Sequence, residues 1–76
     1  MPIDRITDAL SLGKAIRSRR KSLSIRIDDM AAFCGIAVAT LSALENGSRP
    51  VGIDKIMTVL GGLGMAMLVE SEDEHS

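Results

Sequence analysis

The 76-residue chain contains no tryptophan and no tyrosine, one phenylalanine (Phe33), one cysteine (Cys34) and one histidine (His75). With so few rings, the core has to be aliphatic and methionine-rich. A lone cysteine excludes an internal disulfide, and no charged segment followed by an apolar run and a cleavage site opens the sequence. Both point to a reducing, cytoplasmic compartment. Long hydrophobic runs are also missing: the longest nearly uncharged stretch, VLGGLGMAMLV at 59–69, holds three glycines and falls far short of the ~20 residues of a membrane helix. Chemistry-bearing clusters are scarce as well. Cys34 has no acid–base neighbour in sequence and reads as a small core residue, and His75 stands in an acidic tail. GGLGM at 61–65 lacks the Lys and Ser/Thr of a phosphate-cradling loop. No enzyme activity, metal or cofactor is expected.

What is present is a small domain with a divided charge. A chain of this length buries only about 60% of the surface its unfolded form exposes, so support from a second copy is expected. The net charge of −1 conceals an asymmetry: residues 1–27 carry seven basic and two acidic residues, and the remainder two basic and eight acidic. Polyanion binding is therefore expected on one face only.

Apolar periodicity predicts four helices. The first runs from Thr7 or Asp8 to about Lys21, with Ala9, Leu12, Ile16 and Leu23 inward, Thr7 as N-cap and basic residues in the last turn, where the helix dipole favours them. In the second, Ile27, Met30, Ala31 and Cys34 repeat at i, i+3, i+4, i+7, two Asp occupy the first turn, and Gly35 ends it. The third spans about Val38 to Asn46, burying Leu41 and Leu44, and stops at Gly47. The fourth starts near Ile53, places Ile53, Ile56, Met57 and Leu60 on one face, and ends among the glycines at 61–64. Then the period becomes two, and MAMLVE at 65–70 reads as a short strand. A lone strand cannot satisfy its backbone groups, and no second strand is predicted. The same strand of a second protomer is the expected partner, giving an antiparallel ribbon formed by Met65, Ala66, Met67, Leu68 and Val69 across a twofold axis. The competing reading is an unpaired apolar tail that packs on the fourth helix or orders only with a partner. The expected organisation is an arm (1–7), a helical domain (8–63), a dimerising strand (64–70) and a disordered acidic tail (71–76).

Two short helices joined through Gly35, with a basic helix before them, match the requirements of a helix-turn-helix. Residues 12–70, and above all GIAVATLSALENG at 35–47, resemble the Cro/repressor (XRE) helix-turn-helix family. ATLSALENG followed by IDKIMTVLGGLGMAMLV is most similar to the HipB-type antitoxins, which end in a dimerising strand. The resemblance implies a mainly α, four- to five-helix lambda-repressor-like domain with a C-terminal β-strand pairing across a homodimer. It implies a brace between Arg20 and Glu45. It puts Thr40, Asn46, Ser48 and Arg49 near phosphate at the groove edge, with Arg17, Arg19, Lys21 and Arg26 as further phosphate candidates, only some of which are expected to touch DNA. It also gives the base-facing positions to Val38, Ala39, Ser42 and Ala43, with Ala37 just before them.

Two departures from the family pattern stand out. The Ser/Thr-Gln pair that usually opens the second helix is replaced by Arg26 and Ile27, which removes a phosphate clamp and moves the expected cap to Ser24. Of the base-facing set, only Ser42 can hydrogen-bond, so direct readout is thin. Two functions remain open. One is a sequence-specific repressor of a palindromic operator on double-stranded DNA, associated with the nucleoid, acting as the antitoxin of a HipBA-like module that represses its own operon and binds a HipA-like kinase toxin. The other is an interaction module that keeps the fold and binds a toxin or regulator with little reading of sequence.

Overall fold

The computed structural model describes residues 3–72. Four helices follow in order: α1 (Ala9–Ser22), α2 (Ile27–Cys34), α3 (Val38–Asn46) and α4 (Ile53–Gly62). α1 packs on α3, and α2 packs on both α3 and α4. Ile16, Met30, Leu41, Val59 and Leu63 are the largest wholly buried side chains, joined by Ala31, Leu44 and Leu60, so the core is aliphatic and sulfur-containing as the composition requires. Phe33, the single aromatic residue, is 75% exposed. No single helix among the described residues is long and apolar enough to cross a membrane.

The start of α1 is set by Asp8 and not by Thr7. Ser11 lies three residues beyond Asp8 and completes a reciprocal capping box: its N–H donates to Asp8 Oδ1 at 2.7 Å, and its Oγ accepts from Asp8 N–H at 3.1 Å. The Ser11 backbone hydrogen bond holds the Asp8 carboxyl below its ordinary pKa. α2 begins at Ile27 with Arg26 as an N-cap whose side chain makes no capping hydrogen bond to the helix backbone. Ser24, expected to cap it, instead adopts φ +58° and closes the turn behind α1.

All four helices end alike. After α1, Ile25 N–H reaches Arg20 O; after α2, Ile36 reaches Ala31; after α3, Ser48 reaches Ala43; after α4, Met65 reaches Leu60 at 2.8 Å. Each is the six-to-one bond of a Schellman turn, which needs a left-handed residue just before the donor. Glycines 35, 47 and 64 supply it three times, and Ser24 once, against the usual steric preference.

α1 and α3 touch through backbone. A Cβ on Gly13 would lie 2.4 Å from the carbonyl oxygens of Leu44 and Glu45, so only glycine permits this crossing. Along α4 and its C-cap, the inward stripe is the partly buried Ile56 with the buried Val59, Leu60 and Leu63, whereas Ile53 and Met57 face solvent in the single chain. The stripe is rotated from the expected one because VLGGL extends the apolar pattern by another turn. Similarly, Ala9 and Leu23 lie at the surface, and Leu12 is only partly covered.

Among the described residues there is no strand. Residues 65–70, expected as a strand, take up no regular secondary structure, since an isolated segment has no neighbouring ladder to satisfy its backbone groups. Met65 packs against the core, while Leu68 and Val69 are 74% and 86% exposed. Of the expected acidic tail, residues 73–76, His75 among them, lie outside the described residues, as do residues 1–2 of the arm.

Candidate nucleic-acid interface

The chain bends by 111° between α2 and α3, across the three residues Gly35, Ile36 and Ala37. A turn of that length at about 90–120° is the geometry that lets a second helix project from a domain into a groove. Gly35 makes the turn at φ +70°, with Ile36 packing against the core behind it.

The pose of α3 is fixed from the first helix. Arg20 and Glu45, both buried, form a fork: Nε donates to Oε2 at 2.7 Å and Nη2 to Oε1 at 2.9 Å. Arg20 Nη1 also donates to the Ile25 carbonyl at 2.9 Å, tying the fork to the turn between α1 and α2. The hydrogen bonds to Glu45 raise the guanidinium pKa further, so the charge is permanent. The expected internal brace is thus present in the geometry, and no buried side-chain donor or acceptor in the described residues lacks a partner.

Of the five positions expected at base edges, Ala37, Val38 and Ala39 are exposed and Ser42 is half-buried. Ala43 is corrected: at 5% exposure it is turned into the domain and offers nothing to a groove. Ser42 does not stand alone. Its Oγ accepts from Asn46 Nδ2 at 3.3 Å, one turn later, so an amide joins the polar end of the exposed face. The i, i+4 spacing would have revealed this pairing. Thr40 and Arg49 are likewise adjacent, with Nη2 3.5 Å from Oγ1, and Ser48 is exposed beside them.

The basic residues of α1 divide. Arg17 and Lys21 are exposed, and no carboxylate among the described residues forms an ion pair with either. Arg19 is committed elsewhere: its Nε donates to the Leu63 carbonyl at 2.9 Å, at the end of α4. Arg26 pairs with Asp28 at 3.2 Å on the surface, an attraction weak enough to exchange for a phosphate. Near the chain ends, Arg5 lies 3.7 Å from Glu70, joining the arm to the terminal segment. Burial pushes the Cys34 thiol pKa up, which leaves it a neutral packing group.

Fold, turn and brace define a helix-turn-helix protein. The chain belongs to that family: a family model described as helix-turn-helix matches residues 16–67. By sequence, no curated protein matches it. Among solved structures, its fold is similar to HipB in an O2 20mer complex, with a TM-score of 0.83 and 21% identity over 95% of this chain and all of that one. It is nearly as similar to a chain of a HipA–HipB–O2–O3 complex (TM-score 0.82, 21% identity, 93% of this chain and all of that one). HipB in an O4 20mer complex matches with the same values. The fold is thus that of a Cro/repressor-type domain, HipB-like along nearly its whole length.

Proposed function

We propose that the chain is a homodimeric, operator-binding transcriptional repressor, the antitoxin of a HipBA-like module that represses its own operon and binds a HipA-like kinase. The observation that carries this reading is α3 projecting at 111° from α2, braced by Arg20–Glu45, with Arg17 and Lys21 exposed on the neighbouring helix. α3 enters the major groove. Val38 and Ala39 meet thymine methyls, Ser42 offers the hydroxyl, and Ala37 approaches the backbone. Arg17, Lys21, Arg26, Thr40, Asn46, Ser48 and Arg49 grip phosphates. Residues 64–70 pair with their twofold mates as a ribbon, which gives the exposed Leu68 and Val69 a cover and sets two half-sites about 34–36 Å apart. The partner kinase is suggested by the HipA–HipB assembly among the similar structures. The site of action is the nucleoid in the cytoplasm.

The exposed face of α3 favours a second reading, an interaction module that reads little sequence, because Val38 and Ala39 carry no side-chain donor or acceptor. Selection of DNA by the purified protein from a random pool separates the two. Enrichment of a palindrome supports the repressor; a pool that stays random removes it in favour of the module.

A further inference from the structure

Arg19 occupies the basic turn of α1, where a phosphate partner is expected, yet its side chain turns to the end of α4. Its Nε donates to the carbonyl of Leu63 at 2.9 Å, 44 residues along the chain. That carbonyl belongs to the turn from which the terminal segment leaves. Leu63 itself is wholly buried, Gly64 N–H donates to Gly61 O at 3.2 Å, and Met65 N–H donates to Leu60 O at 2.8 Å. Gly64 holds φ +69°, and a Cβ there would stand 3.4 Å from Arg19 Nη2, so the guanidinium lies along the outside of the turn. Met65 then packs against the core, and the exposed apolar residues follow within a few positions. The direction of the terminal segment is therefore fixed twice, by a closed Schellman turn and by a cation anchored on the helix next to the DNA-facing surface.

We infer that Arg19 is a positioning residue: it locks the exit of the terminal segment to α1 and so sets the distance between the two recognition helices of the dimer. This rests on the dimeric repressor reading above. A guanidinium suits the task because its Nε–H points sideways in a fixed plane while the charge stays at the surface. A lysine in its place keeps the charge and loses that directed bond. The role differs from the phosphate contact that the sequence pattern suggests, and the two have different signatures.

The test uses the full chain with Arg19→Lys and Arg19→Met. Each variant is taken through selection from a random DNA pool, a salt titration on the wild-type site, and amide exchange of the free protein. Positioning predicts that both variants relax the spacing between half-sites and bind the fixed-spacing site about tenfold more weakly. Both should also exchange faster at 65–69 while α3 is unchanged, and both should keep the wild-type salt slope. If Arg19→Lys matches wild type and Arg19→Met lowers the slope by about one, Arg19 is a phosphate ligand and the inference is overturned. Unchanged spacing together with unchanged exchange at 65–69 overturns it equally. If the wild-type protein enriches no DNA, the repressor reading fails. Amide exchange then still decides whether Arg19 holds the terminal segment.

Discussion

Arg20 and Glu45 face each other through two parallel hydrogen bonds of 2.7 and 2.9 Å, buried between the first helix and the helix that projects from the domain. Removing one partner strands the other charge in a low-dielectric site. Glu45→Ala is expected to destabilise by about 3–5 kcal/mol in chemical denaturation. Replacing both by apolar residues of similar volume, Arg20→Met with Glu45→Leu, should recover most of that loss. A double variant no more stable than the single would show that the pair's net attraction matters, and not only the desolvation of an orphaned charge.

Ser24 holds a left-handed backbone at φ +58° where the other three helix ends use glycine. Ser24→Gly relieves a strain of about 1 kcal/mol and should raise the midpoint of thermal unfolding by several degrees. Ser24→Val, β-branched, should lower it. A Ser24→Gly protein that melts earlier than wild type would show that the added freedom of the unfolded chain outweighs the strain.

Two glycines give opposite expectations for the same substitution. At Gly13 an added methyl group meets the Leu44 and Glu45 carbonyl oxygens, and Gly13→Ala should cost about 1–3 kcal/mol or more by forcing α1 off α3. At Gly61, inside α4 with nothing within 4 Å, Gly61→Ala should stabilise by about 0.5–1 kcal/mol through helix propensity alone. Paired denaturant titrations check both.

The capping box makes stability sensitive to acid. Because the Ser11 hydrogen bonds hold the folded-state Asp8 pKa below its ordinary 3.8, the unfolded chain binds the proton first. Its contribution is therefore complete above that ordinary value, shrinks as pH falls below it, and is gone once pH passes beneath the lowered folded value. Asp8→Asn, which still caps but does not titrate, should flatten that limb of the stability–pH curve. An unchanged limb would assign the acid sensitivity to other carboxylates.

Neutralising Arg17 or Lys21 should weaken DNA binding uniformly across sequences and reduce the salt slope by about one for each phosphate left without its cation. Neither side chain is buried, so the melting temperature should hold. A change confined to one base position would place the residue at a base edge instead.

The helices were legible because their punctuation is local. Gly35 and Gly47 end two of them where expected, and the Val38–Asn46 bounds agree with the periodicity. The cap sits on Asp8 rather than Thr7 although both residues can cap, and only the hydroxyl of Ser11 decides between them. Ser24 was not legible, since serine gives no sign of a left-handed conformation. α4 carries two overlapping apolar stripes, 53–56–57–60 and 56–59–60–63, and choosing between them requires knowing where α2 packs. The Arg20–Glu45 brace was readable through family resemblance and not through spacing, because its partners are 25 residues apart. Arg19 misled for a simpler reason: its acceptor is a main-chain carbonyl, and no side chain advertises that.

Since the brace and the Gly13 crossing hold α3 from behind, Val38, Ala39 and Ser42 carry little of the structural burden. On the proposed repressor reading, those three positions would be free to change while the scaffold stays intact, so a chain this small would acquire a new target by substitution at its outer rim, with its architecture left untouched.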